Sequence, residues 1–152
     1  MRTFVLLFAT WGGTGYSPVA SGTVGTLAAI PFYLVLARLP LSLYLLTLAA
    51  FFFFSCWVAG LAEELFAEKD SGKIVIDEVV GYLVTMTGVA VSWQTVAAGF
   101  LLFRFFDIVK IQPARFFDRH LKNGYGVVLD DVVAGMYAWL ALQLLLRFVE
   151  FR

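Results

Sequence analysis

The sequence predicts an all-α, polytopic integral membrane bundle of about five membrane-embedded helices. Three observations carry that expectation. Of the 152 residues, 61% are hydrophobic and 17% aromatic, with a mean hydropathy of +0.87. Only 14% are charged, against about 25% in an ordinary soluble domain, so there is more apolar surface than one small core could hide. The apolar residues also fall into runs separated by short charged or glycine-rich stretches. The length leaves room for one domain, taken as residues 1–152.

The opening "MRTFVLLFATW" has one arginine and an apolar run, residues 4–9, shorter than the ~7–15 residues of a signal-peptide core. It is expected to stay in the mature chain and to lead into the loop "WGGTGYSPVASGTVGT". Residues 23–37 form the first apolar segment, interrupted by Arg38, Leu39 and Pro40. Residues 41–60 are the clearest span, near the ~20 residues a bilayer crossing needs. "LAEELFAEKD" extends that helix out of the apolar zone, to a turn at Asp70-Ser71-Gly72. The apolar stretch 79–103 is broken at "SWQT" and reads as two short helices, and residues 132–149 are the last. Several of these five segments have only ~13–18 residues. Such segments tilt little, thin the bilayer or begin within the interface.

A crossing at each segment puts residues 1–22, 61–78 and 104–131 on one side. Eight of the eleven basic residues lie there, all but Arg38, Arg147 and Arg152, which makes that side cytoplasmic by the positive-inside rule. Ten of the eleven acids, all but Glu150, share it. Acids contribute little to orientation, so their clustering calls for a polar site. The balance of 11 basic and 11 acidic residues gives no ground for a nucleic-acid partner. The single cysteine, Cys56, excludes an intramolecular disulfide and reads as a buried, inert thiol. A lone His120 excludes a His-rich zinc site.

Four stretches could build the site. In "GTGYSPVASGTVGT", Ser21, Gly22 and Thr23 offer hydroxyls and backbone N–H groups at a helix start, where the dipole favours an anion. The loop is neither a Walker A sequence nor G-x-G-x-x-G, and alone it reads as a cap and a turn. "IDEVVGY" brings Asp77 and Glu78, which alone read as first-turn acids. "FRFFDIVKIQPARFFDRH" places Arg104, Asp107 and Lys110 near one helix face, with Arg115 beyond Pro113. Interfacial anchoring would explain the bases. It does not explain an acid at that depth, which is costly unless paired or functional. "GYGVVLDDVVAGMY" brings Asp130 and Asp131, one of which reads as the N-cap of the last helix. The second, repelled by the first, calls for a cation.

Taken together, the metal candidates are Asp77, Glu78, Asp107, Asp130 and Asp131. Clustered carboxylates suit Mg²⁺, a hard cation that takes oxygen ligands. The phosphate-binding candidates are Ser21, Gly22, Thr23, Arg104, Lys110 and Arg115. The catalytic candidates are Asp77, Asp107, Lys110 and Asp131. A metal and phosphate-binding groups at a membrane surface point to phosphate chemistry on a lipid headgroup.

The blocks "GTGYSPVASGTVGTLAAIP", "IDEVVG", "FRFFDIVKIQPARFFDR" and "GYGVVLDDVVAG" resemble, in order and spacing, the four motif blocks of the bacterial phosphatidylglycerophosphatase A family. The resemblance covers most of residues 12–135. It implies a Mg²⁺-dependent, all-helical lipid phosphatase of the bacterial inner membrane, its site facing the cytoplasm. Such an enzyme converts phosphatidylglycerophosphate to phosphatidylglycerol, the precursor of cardiolipin. Matching positions carry the family's functional residues onto Asp77, Glu78, Arg104, Asp107, Lys110, Asp130 and Asp131, and its loop onto Gly22, Thr23 and Gly25. Ser21 and Ile111 stand where the family has proline, and Thr26 where it has serine, departures expected to loosen two turns. Two other functions compete. A CDP-alcohol-type lipid phosphotransferase would carry D-G-x-x-A-R, which is absent. An ion or proton transporter would place ionisable residues in mid-span, where this chain has none. The sequence leaves the oligomeric state and the metal count open.

Overall fold

The computed structural model describes residues 1–69, 71–109 and 124–149. Among these residues the chain forms six α-helices, one short 3-10 turn and no strand. The helices are α1 (Arg2–Ala9), α2 (Ser21–Leu36), α3 (Leu41–Phe66), α4 (Ile76–Thr85), α5 (Trp93–Val109) and α6 (Gly124–Phe148), with the 3-10 turn at Thr14–Tyr16. By length and composition α3 and α6, with 26 and 25 residues, could cross a membrane; α2 is a shorter apolar helix.

The architecture is organised around α4. It has only 10 residues, eight of them buried. It packs most extensively on α6 and also against α2, α3 and α5. One core cluster joins α2, α4, α5 and α6 through Ala29, Tyr33, Tyr82, Leu83, Phe103, Ala138 and Leu142. A second joins α1, α3, α4 and the start of α6 through Val5, Ala9, Val58, Ala59, Ile76, Val80 and Val128. Exposed leucines and phenylalanines line the outside, including Leu46, Phe53, Leu101, Leu140 and Leu144.

The predicted division of this stretch into two short helices is real, but the break falls at residues 86–92 and not at 92–95: α4 ends at Thr85 and α5 begins at Trp93. Thr95 closes the turn, its hydroxyl donating to the Ala90 carbonyl at 2.7 Å. Two further expectations change. The first residues form a helix, α1, rather than a plain lead-in to the loop. The last helix begins at Gly124, not near residue 132, so Asp130 and Asp131 lie inside α6 and neither is its N-cap. The reason is packing. A Cβ at Gly124 would collide with the Cys56 carbonyl and lie 3.0 Å from the Gly60 Cα. This glycine therefore marks the close approach of α6 to α3.

Candidate functional site

The N-terminal ends of α2, α4 and α6 and the C-terminal end of α5 meet at one end of the bundle. The chain enters α2 through Ala20, whose φ of 48° is left-handed, a conformation that costs a non-glycine residue roughly 1–2 kcal/mol. No side chain caps the helix, so its first N–H groups are left to other partners. Ser21 donates its hydroxyl to the Gly72 carbonyl at 2.6 Å and Thr26 donates to Gly22 O at 2.8 Å. Ser21, where the family has proline, thus ties this turn to the segment before α4, and Ile111, the departure in the other turn, lies outside the described residues. Val75 N–H bonds Ala9 O at 2.9 Å, anchoring the segment that leads into α4.

Gly22, buried in the first turn of α2, faces the centre of the site. A Cβ there would strike the Glu78 carboxylate and lie 3.0 Å from an Arg104 guanidinium nitrogen. Arg104, from α5, forms an ion pair with Asp107 one turn further along and lies 3.9 Å from Glu78 Oε1. Asp77 and Glu78 from α4 and Asp131 from α6 each present a carboxylate oxygen within 4.8 Å of the others. Asp107 contacts Asp131 across the α5–α6 boundary, while Asp130 acts on Asp131 through its charge. Both Asp130 and Asp131 are about 4% exposed.

Electrostatics show what the cluster lacks. Burial pushes the Glu78 carboxyl up to about 8. The Asp131 charge adds to that rise, a hydrogen bond with Asp77 opposes it, Asp107 adds to it, and Arg104 opposes it. Among the described residues, Glu78 Oε2, Asp131 Oδ2 and Arg104 Nε are buried and have no hydrogen-bond partner. Such orphans cost about 1–3 kcal/mol each, more when charged. Three oxygen donors converging around buried orphan atoms fit a hard divalent cation, and the open guanidinium edge fits a phosphate oxygen.

Of the residues singled out from sequence, the structure thus brings Asp77, Glu78 and Asp131 together, with Gly22, Arg104 and Asp107 against them. Asp130 sits on the same turn of α6 but outside the three-carboxylate group. Thr23 is half-buried beside Gly22. Ser21 has its hydroxyl proton engaged with Gly72. Lys110, Arg115 and His120 lie outside the described residues. Sequence reading missed Gly81 and Gly135, at which α4 and α6 touch. The signal was present: each follows an aspartate of the cluster by four residues, Asp77 in "DEVVG" and Asp131 in "DVVAG".

Comparison with known proteins identifies the family. The sequence model of the family Phosphatidylglycerophosphatase A matches residues 7–146. Phosphatidylglycerophosphatase A of Escherichia coli strain K12 is 39% identical over 131 residues, covering 86% of this chain and 76% of that protein. The protein of the same name from Haemophilus influenzae is 39% identical over 134 residues, 87% of this chain and 82% of its own. A Bacteroides thetaiotaomicron protein, provisionally named a phosphatidylinositol-3-phosphatase, is 38% identical over 146 residues, 90% of each chain. No solved structure matches the chain. With a family match spanning nearly all of its helices, the chain belongs to the phosphatidylglycerophosphatase A family.

Proposed function

We propose that this protein hydrolyses the terminal phosphate of phosphatidylglycerophosphate, giving phosphatidylglycerol and inorganic phosphate, in a Mg²⁺-dependent reaction at the cytoplasmic face of the bacterial inner membrane. The observation that carries the reading is the juxtaposition of the Asp77–Glu78–Asp131 carboxylates with the Arg104 guanidinium, in a chain of this family. Asp77, Glu78 and Asp131 would hold the cation, with Asp107 and Asp130 close enough to add negative charge. When bound, Mg²⁺ supplies charge neutralisation at the phosphoryl oxygens and lowers the pKa of water.

The chain's own residues do the rest. Asp107 and Glu78 fix the guanidinium plane of Arg104, so its remaining donors are pre-aimed at the phosphoryl oxygens and need not reorganise as charge develops there. Gly22, with no side chain, lets the Glu78 carboxyl and the Arg104 guanidinium close against the first turn of α2, whose N–H groups and dipole add to the positive field. Lys110 and Arg115 would extend that field. Asp107, held beside both Arg104 and Asp131, is placed to accept a proton from attacking water. The water route is favoured over an aspartyl phosphate because Asp107, the candidate nucleophile, is already committed to its ion pair with Arg104.

The apolar exterior seats the bundle in the bilayer. In this reading α3 and α6 span, and α2, α4 and α5 lie embedded beside them with their site ends at the cytoplasmic surface. The lipid tails then stay in the membrane while the headgroup enters the site. In a Cys56→Ala background, Gly72→Cys should resist an impermeant maleimide in intact cells and Trp93→Cys should react; labelling of Gly72→Cys from outside reverses the topology.

The Bacteroides relative makes phosphatidylinositol 3-phosphate the natural competitor for the substrate. Phosphate release by purified protein from phosphatidylglycerophosphate, phosphatidylinositol 3-phosphate and phosphatidate, with and without EDTA, tests the reading. Preference for phosphatidylglycerophosphate, abolished by EDTA and restored by Mg²⁺, is expected. Turnover undiminished by EDTA, or a preference for the inositol lipid, overturns it.

A further inference from the structure

α4 and α6 run parallel away from the site, and they touch at two glycines. A Cβ at Gly81 would lie 2.7 Å from the Asp131 carbonyl oxygen and would also strike the Phe103 ring. A Cβ at Gly135 would strike the Gly81 carbonyl and lie 3.1 Å from Val84 Cβ. Thr85 locks the crossing: its hydroxyl reaches the Gly81 carbonyl at 2.9 Å and the Gly135 carbonyl at 3.3 Å. The obstacles on both sides include backbone, which cannot swing away as a side-chain tip can. Small residues at a helix crossing permit a backbone approach that any larger side chain would prevent.

The position of the crossing is what matters. Gly81 is four residues beyond Asp77 and Gly135 four beyond Asp131, one turn or ~6 Å deeper in the bundle. Residues four apart lie on the same helix face. Asp77 and Asp131 therefore leave the two helices directly above the point where the backbones are closest. We propose that Gly81 and Gly135 are positioning residues. Their contact sets the separation of the Asp77 and Asp131 carboxylates, and with it the affinity of the site for a divalent cation.

This rests on the cation-binding reading above. Gly99 supplies the control. On α5, a Cβ there would meet the flexible Met86 sulfur and lie 3.6 Å from Leu142, so Gly99→Ala perturbs packing in the apolar half, eight residues from Asp107. Mn²⁺ serves as the probe, its affinity read by electron paramagnetic resonance on detergent-purified protein, with melting temperature measured in parallel. Gly135→Ala should weaken Mn²⁺ binding at least tenfold. Gly99→Ala should lower the melting temperature with Mn²⁺ affinity within twofold of wild type.

Gly81→Ala combined with Phe103→Leu relieves the ring contact but leaves the clash with the Asp131 carbonyl, and it too should bind at least tenfold more weakly. Thr85→Val, nearly isosteric and the mildest change, should weaken binding several-fold. Wild-type affinity in folded Gly135→Ala, in the double variant or in Thr85→Val overturns the proposal while leaving the cation site standing. Equal loss in Gly99→Ala also overturns it, by reducing the effect to general destabilisation. Failure of the wild-type protein to bind Mn²⁺ overturns both readings.

Discussion

The two ends of the bundle satisfy their polar groups in opposite ways. At the end away from the site, aromatic side chains reach across to backbone carbonyls. Tyr44 donates to Leu83 O at 2.6 Å, Trp139 donates to Thr87 O at 2.9 Å and Tyr33 donates to Val89 O at 3.4 Å. These neutral bonds absorb the carbonyls left over where α4 terminates. At the site end, glycines bring helices into near contact, and polar atoms on the ionisable side chains of Glu78, Asp131 and Arg104 are buried with no hydrogen-bond donor or acceptor to meet them. One end is finished by its own side chains. The other carries an electrostatic deficit that a ligand would fill, the kind of local inconsistency expected at functional sites.

The contrast can be broken most severely at the carboxylates. Asp131→Asn should reduce turnover on the order of a thousandfold while the melting temperature in EDTA rises or holds, because an amide replaces a buried carboxyl whose Oδ2 has no hydrogen-bond partner. A variant that melts lower in EDTA and keeps its turnover would make Asp131 a structural residue. Next comes Arg104→Lys. A point charge cannot reproduce a planar fork braced by Asp107 and Glu78. Turnover should fall roughly ten- to a hundredfold, in a steady-state assay on phosphatidylglycerophosphate in mixed micelles; lysine performing as well as arginine would show that only the charge matters.

The third test uses pH. Glu78 holds its proton up to about 8 in the folded chain, against an ordinary value of 4.5. Where the folded state binds the proton more tightly, stability falls as the proton is lost. The metal-free protein should therefore lose melting temperature as pH rises from about 4.5 through about 8. Mg²⁺ should restore more stability at pH 8 than at pH 5, since the cation replaces the proton. A melting temperature flat across that window in EDTA would contradict the deficit. The smallest effect belongs to the finished end. Tyr44→Phe should cost about 1 kcal/mol of stability and leave the turnover of the folded protein unchanged; a loss of activity without loss of stability would couple the two ends.

Much of this was legible beforehand, for definite reasons. Helix α3 follows from its apolar run alone, because an apolar stretch of bilayer-spanning length is visible without knowing its neighbours. The division into α4 and α5 follows from "SWQT", a local signal that marks the start of α5 and not the break itself. The acidic stretches were visible as chemistry out of place in an apolar chain. The start of α6 was not. Gly124 falls in the stretch expected to precede the last helix, yet it lies in a helix pressed against the backbone of α3. A glycine needed for space and a glycine needed for a turn look identical in sequence.

The sequence by itself determined that the chain is helical and apolar, that its acids and bases gather between the same helices, and to which family the motifs point. These are matters of residue type, order and spacing. Only the tertiary structure decided which carboxylates converge. It put Asp131 with Asp77 and Glu78, left Asp130 beside that group, and paired Arg104 with Asp107. Adjacent residues on a helix point about 100° apart, so the choice between Asp130 and Asp131 depends on how α6 is rotated against α4. That rotation is set by the backbone contact at Gly81 and Gly135, an interaction between two segments 54 residues apart.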